Sequence, residues 1–203
     1  MIAAAEALAR LREGNARFAS GRPPLEDRVG PARREAILSR QEPIAIVLGC
    51  SDSRVPPELI FGQGLGDLFV LRGAGHVVTP VRMGTIEAAV EELGTGLVVV
   101  LGHSGCGAVN AVLENMGSPL RLPESLRSGV EQLTRSVEEV LDGPPAAVTE
   151  DLLDAAVRAN IRASVEQLRH GSPELEQMVR TGRLLITGAE YSLKTGLVHF
   201  LEE

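Results

Sequence analysis

Ile44-Ala45-Ile46-Val47-Leu48-Gly49-Cys50-Ser51-Asp52-Ser53-Arg54 is the stretch on which the fold turns. Ile44–Leu48 is an unbroken apolar run, as a strand buried on both faces of a parallel sheet requires, and a polar string begins right after it at Cys50. Two further runs repeat the pattern, Leu68-Phe69-Val70-Leu71 and Leu97-Val98-Val99-Val100-Leu101. A fourth, Leu184-Leu185-Ile186, comes late, and Leu197-Val198-His199-Phe200-Leu201 reads as an edge strand after a turn at Gly196. Helical patterns separate them at Arg33–Ser39, Met83–Leu93, Ala108–Asn115, Glu124–Leu141 and Thr149–Arg169. The alternation predicts an α/β fold: an open, mostly parallel sheet of about four parallel strands plus an edge strand, flanked by helices.

Ahead of the sheet, residues 2–19 have helical spacing, with Ala5, Leu8, Leu11 and Phe18 on one apolar face. Pro and Gly interrupt Ser20–Pro31, which reads as an extended arm. Residues 1–32 are therefore expected to form an N-terminal helical arm that packs on a partner subunit. No repeat, low-complexity tract or linker divides the rest, and Gly143-Pro144-Pro145 is a break between helices. The whole chain, 1–203, reads as one domain, and 203 residues suffice for a sizeable core.

Composition narrows the function. A net charge of −7 leaves no basic stripe for phosphates, which argues against a nucleic-acid partner. No apolar run is long enough to span a membrane, and the N-terminus lacks the pattern of a signal peptide. A cytoplasmic location follows as the expectation. In a reducing compartment, two cysteines read as metal ligands or catalytic groups before they read as a disulfide.

Those two cysteines carry the chemistry. Cys50 follows the first strand run, and His103 and Cys106 follow the third in His103-Ser104-Gly105-Cys106. Two thiolates and an imidazole make a three-ligand zinc set with a fourth position open, the mark of a catalytic ion. In open α/β sheets, ligands bind beyond the carboxyl ends of the strands, so neighbouring first and third strands would bring all three donors into one crevice. Cys106 would lie near the N-terminus of the following helix, where free N–H groups lower a thiol's pKa.

Asp52 and Arg54 extend the set. An aspartate beside an arginine stays ionised and can accept the proton of a zinc-bound water, orienting it. Zinc brings the pKa of such a water toward about 7 and yields a hydroxide nucleophile. Because two thiolates donate more charge than imidazoles, the water is expected to be a weaker acid than at an all-histidine site, and activity to rise above neutrality.

Other readings of these segments fail. Gly62, Gly64 and Gly66 are not followed by the Lys-Ser/Thr of a phosphate-binding loop. A phosphatase-type loop would need arginine where Pro56 and Val112 stand. Ser51, Ser53 and Ser104 have no Ser-His-Asp arrangement and read as turn residues. Neither cysteine sits in a Cys-x-x-Cys, which leaves little for a thiol redox reading.

Cys50-x-Asp52-x-Arg54 followed by His103-x-x-Cys106 resembles the metal signature of the β-class carbonic anhydrases. Leu11–Phe18, Gly66–Arg72, Leu101–Asn110 and Tyr191–Leu201 are similar to that family as well, so the likeness runs over almost the whole chain. The resemblance implies one zinc per chain on Cys50, His103 and Cys106. It gives Asp52 and Arg54 as the dyad that orients the water, and Gln41 and Phe69 as the lining of a small CO2 pocket. The implied reaction is reversible hydration of CO2 to bicarbonate and a proton by zinc-bound hydroxide, and the implied assembly is a dimer or a dimer of dimers with the site near the interface. Carbonyl sulfide or carbon disulfide hydrolases share these motifs and stand as the alternative. A non-enzymatic, zinc-stabilised bicarbonate sensor is a further one.

Some positions depart from the family pattern. Ala88 replaces a frequent tyrosine, and the Arg-Asn-Ala-Gly-Asn string appears as Arg72-Gly73-Ala74-Gly75-His76. A lone histidine in such a Gly-rich loop reads as solvated before it reads as a group that helps export protons. Members in which the aspartate swings onto zinc usually carry a Trp where Val47 stands here. The expectation is therefore an intact Asp52–Arg54 pair with an open zinc position at pH 8, with Asp52 as a fourth ligand in a closed state favoured by low pH.

Overall fold

Aliphatic residues that bury both faces of a strand place β1 (Ala45–Gly49) in the middle of the sheet, where all five residues are buried. The structure, a computed structural model, describes residues 2–22, 28–116, 123, 126–141, 143 and 145–201. Beside β1 lie β2 (Leu68–Arg72) and β3 (Leu97–His103), followed outward by β4 (Leu185–Tyr191) and β5 (Val198–Phe200), in the order β2-β1-β3-β4-β5. The first four are parallel with a fifth at the edge, as the sequence predicts, and that edge strand β5 runs antiparallel to β4.

Alternation along each strand divides the core in two. Ile46 and Leu48 of β1 and Val98 and Val100 of β3 face one layer; Ala45, Val47, Leu97, Val99 and Leu101 face the other. The first layer is closed by α4 (Pro80–Leu93), α5 (Gly107–Glu114), α6 (Arg127–Glu138), α7 (Glu150–His170) and α8 (Pro173–Arg180). The second is closed by α1 (Ala4–Ala19) and the one-turn α3 (Pro57–Ile60). A short α2 (Pro31–Ala36) precedes β1.

Local chemistry sets the helix ends. Thr79 caps α4 through the Arg82 N–H, Pro80 opens it, and Gly94 closes it in the left-handed conformation at φ 65°. Thr149 caps α7 in the same way, with Glu150 and Asp151 in the first turn and Arg169 and His170 in the last, matching the helix dipole. Ser172-Pro173 likewise starts α8, an element the periodicity alone misses although its capping pair is plain in the sequence. The predicted start of α6 at Glu124 and the middle of the Ser20–Pro31 arm, residues 23–27, lie outside the described residues.

The apolar face of α1 is rotated from the expected one. Ala5 is exposed, whereas Ala7, Leu11, Gly14 and Asn15 are buried. This face covers the chain's own second core layer. Asn15 fixes it there, donating to the Ile60 and Gly196 carbonyls and accepting from the Val198 N–H. A Cβ on Gly14 would overlap the Phe61 carbonyl oxygen, so α1 reaches α3 only because this residue has no side chain. Gly14→Ala is accordingly expected to destabilise the fold by about 1–3 kcal/mol in urea unfolding; unchanged stability would mean that α1 does not dock this closely.

Candidate metal centre

The pairing of β1 with β3 carries the two loops that bear the candidate ligands out of the sheet side by side. Gly49 lies opposite Leu101, so Cys50 leaves one strand next to the Gly102-His103 end of the other. Cys50, His103 and Cys106 are all buried, and their donor atoms lie within 4.8 Å of one another. Both cysteines are free thiols.

The imidazole is already turned for coordination. Nδ1 of His103 is 3.0 Å from the Ser104 carbonyl, which fixes the proton on that nitrogen. Nε2 is buried and, among the described residues, has no hydrogen-bond partner. A buried unpaired acceptor beside two thiols is costly in an empty protein and suits a soft metal ion. On this ground the donor set fits zinc.

Without a metal the two thiols share one proton. The Cys106 thiol donates to the Cys50 sulfur and pulls its pKa down against the cost of burial, with the backbone of Asp52 and Gly75 assisting. Cys106 is correspondingly pushed up, first by holding that proton for Cys50 and then by burial, although the Val109 and Ala108 N–H groups oppose the rise. Those two amides belong to the first turn of α5, for which Cys106 is the N-cap residue. A dication would displace the shared proton and leave both sulfurs as thiolates.

Asp52 and Arg54 form the expected pair. Arg54 donates from Nε to Oδ1 at 3.0 Å and from Nη2 to Oδ2 at 2.7 Å, and its backbone N–H reaches Oδ1 at 2.9 Å. This fork holds the Asp52 carboxyl well below the usual carboxylate range, against a modest desolvation cost. Oδ2 lies 4.0 Å from His103 Nε2, so the carboxylate stands at the edge of the donor cluster.

Gln41 and Phe69 are placed differently. Gln41 is exposed and precedes β1, whereas Cys50 follows it. The five strand residues between them span about 16 Å at 3.3 Å per residue. Within one chain Gln41 does not meet the cluster. Phe69 pairs with Ile46 on the outer strand β2 and packs, half-buried, against the layer that contains both cysteines.

Three contacts in the loops were not foreseen. Arg72 ends β2 opposite Gly49 and donates to the Cys50 carbonyl at 2.9 Å and the Asp52 carbonyl at 2.6 Å, tying down the loop that bears both. Ser104 fastens the other loop to the end of β4, through its N–H to the Tyr191 carbonyl and its hydroxyl to the Leu193 N–H. The third is His76, which the sequence reading leaves in solvent. It is fully buried, at a left-handed φ of 45°, with Nε2 2.8 Å from the Asn160 side-chain nitrogen. Helices α6 and α7 cover the loop, and nothing local in its sequence announces that cover. The only available sign was the substitution of His76 within an otherwise familiar string.

Comparison with known proteins agrees with this geometry. The family model for carbonic anhydrase matches residues 45–198. The chain is 40% identical over 188 residues to a carbonic anhydrase of Mycolicibacterium smegmatis, covering 93% of this chain and 88% of that one. It is similar in structure to a Coccomyxa β-carbonic anhydrase solved with acetazolamide, with a TM-score of 0.71 and 27% identity over 83% of this chain and 76% of the other. The fold is also that of a tetrameric β-carbonic anhydrase from Sordaria macrospora, with a TM-score of 0.72 and 23% identity over 86% of this chain and 88% of the other.

His76 gives the site a pH signature. Burial, the main cause, lowers its pKa to about 4 from 6.5; the Cys50 charge opposes this and His103 adds to it. The unfolded chain therefore takes up a proton near pH 6.5 that the folded chain refuses until about pH 4, and stability present above that window is lost as pH falls through it. His76→Gln should flatten the slope of unfolding free energy against pH in this window by up to about 1.4 kcal/mol per pH unit. An unchanged slope would place His76 in solvent after all.

Proposed function

The chain belongs to the β-class carbonic anhydrases, and from this premise we propose that it catalyses the reversible hydration of CO2 to bicarbonate and a proton with one zinc per chain. The observation that carries the reading is the buried Cys50-His103-Cys106 cluster with an ionised Asp52 at its edge. Zinc held there supplies the Lewis acidity that makes water a nucleophile near neutral pH.

The chain's own residues do the rest. Cys50, His103 and Cys106 hold the ion, and two thiolates balance its charge inside a buried site. Asp52, kept ionised by Arg54, can accept a hydrogen bond but cannot hold a proton near neutrality. It therefore orients a protonated oxygen and favours water or bicarbonate over species with no proton to give. The proton released goes to solvent or buffer, because Ala88 offers no hydroxyl and His76 is buried and committed to Asn160.

Self-association is part of the proposal. Leu68–Leu71 of β2 lie on an open sheet edge and are only half-buried, an apolar edge of the kind that proteins cover. Gln41 stands at the far end of β1 from its own cluster, so it would line the CO2 pocket, with Phe69, only across an interface with a second copy. A dimer or dimer of dimers satisfies both conditions, and residues 1–32 with the exposed face of α1 would add to its contacts. Among the described residues no helix is long and apolar enough to cross a membrane, and two free thiols at a metal site suit a reducing cytoplasm.

The test is stopped-flow CO2 hydration from pH 6.5 to 9 on protein of measured zinc content. Activity rising with pH at about one zinc per chain is the expected result. Zinc without CO2 turnover overturns the reading, and carbonyl sulfide turnover in its place would identify the sister hydrolase. Cys106→Ser should lose zinc, whereas Asp52→Asn should keep it and lose about 10- to 100-fold in activity; full activity of Asp52→Asn would remove the carboxylate from the mechanism.

A further inference from the structure

The turn after β2 follows Arg72, whose side chain donates to the Cys50 and Asp52 carbonyls. Gly75 and His76 both take left-handed backbone angles, φ 63° and 45°, within the turn Ala74–His76. The turn is tied to the chain on both sides of Cys50: the Gly73 N–H donates to the Gly49 carbonyl at 3.1 Å, the Ser51 N–H to the Gly73 carbonyl at 3.2 Å, and the His76 N–H to that same Gly73 carbonyl at 3.0 Å. Glycine accepts such an angle freely; a histidine does so only where its surroundings hold it.

Those surroundings are two helices remote in sequence. The amide nitrogen of Asn160, fully buried in α7, donates to the Gly75 carbonyl at 2.8 Å and to His76 Nε2 at 2.8 Å. The donation to a carbonyl fixes the orientation of the Asn160 amide, and so fixes His76 Nε2 as an acceptor. Its oxygen accepts from the Ser136 hydroxyl of α6 at 3.0 Å. Leu133 of the same helix closes over Gly75 so tightly that a Cβ there would meet it at 2.9 Å. A single amide thus grips the turn at two consecutive residues, and its other end is held in turn.

We propose that Asn160 is a positioning residue of the metal centre: by clamping Gly75 and His76 it fixes the turn whose Gly73 is bonded to the residues on either side of Cys50. Cys50 is thereby held in the orientation that meets His103 and Cys106. Without the clamp the turn relaxes toward ordinary backbone angles, the Gly73 bonds loosen, and the ligand is less fixed. The inference rests on the zinc reading above and extends it into the interior of the helical layer.

The decisive measurement is the zinc dissociation constant by chelator competition, with the thiolate-to-metal charge-transfer band of the Co2+-substituted protein as a second readout. Asn160→Ala should weaken zinc binding about 10-fold or more and broaden the Co2+ band, because a less fixed thiolate samples more than one ligand geometry. His76→Gln keeps an acceptor where Nε2 stands and should retain near-native affinity and spectrum. His76→Met, of the same length but without that acceptor, should shift both toward Asn160→Ala. Ser136→Ala should move them less in the same direction, and these three variants decide the matter if Asn160→Ala does not fold. Variants that lose thermal stability yet keep the wild-type zinc constant and Co2+ spectrum would overturn the inference alone. A wild-type protein that binds no zinc would overturn this inference together with the functional reading.

Discussion

The parallel pairing of β1 with β3 is the constraint on which the rest depends. The register that sets Gly49 against Leu101 makes the Cys50 loop and the His103–Cys106 turn leave the sheet as neighbours. The same rows place Arg72 against Gly49 on one flank and Tyr191 against His103 on the other. Each loop thereby gains a tether from the strand next to it. A slip of one residue would turn every buried aliphatic side chain to the opposite layer, so packing on both faces holds the register that the metal chemistry needs.

Burying three donors together is unfavourable until something positive sits among them. The chain lowers that cost in small steps: one proton shared by two thiols, amides at the first turn of α5 facing Cys106, and amides of Asp52 and Gly75 facing Cys50. The His103 ring is pinned through Nδ1, which leaves Nε2 bare toward the cluster. The carboxylate of Asp52 stays outside this set, held by the Arg54 fork. The donor cluster is thus pre-arranged by the fold, and an ion bound there would couple its affinity to fold stability.

Preparation of this kind depends on parts of the chain far from the motif. Arg72, Ser104, Asn160 and Ser136 touch the ligand loops or their supports without being donors themselves. Three of these sit on elements whose own reasons for existing are packing: Arg72 ends a strand, and Ser136 and Asn160 lie on buried faces of helices that close the first core layer. Their hydrogen bonds convert the rigidity of that layer into the geometry of the site.

Much of this was legible in the residues. Unbroken aliphatic runs named the strands, because only a sheet covered on both faces tolerates them, and the cysteines and histidine at their ends located the crevice. The turn α3 escaped because one helical turn has no period to detect, and α8 because two turns carry too short a pattern to stand out. The face of α1 was misjudged by part of a turn, since alanine says little about direction while Gly14 and Asn15 look polar or neutral. His76 and Asn160 could not be paired from sequence: a histidine among glycines and an asparagine in a helix each have a solvated alternative, and only helices folded over the loop remove it. The sequence alone placed Cys50, Asp52, Arg54, His103 and Cys106 just after apolar strand runs and alternated strands with helices, because these follow from residue type and local period. Tertiary structure alone decided which buried amide holds which turn and how far Gln41 stands from Cys50, because contacts between distant segments depend on how the layers close.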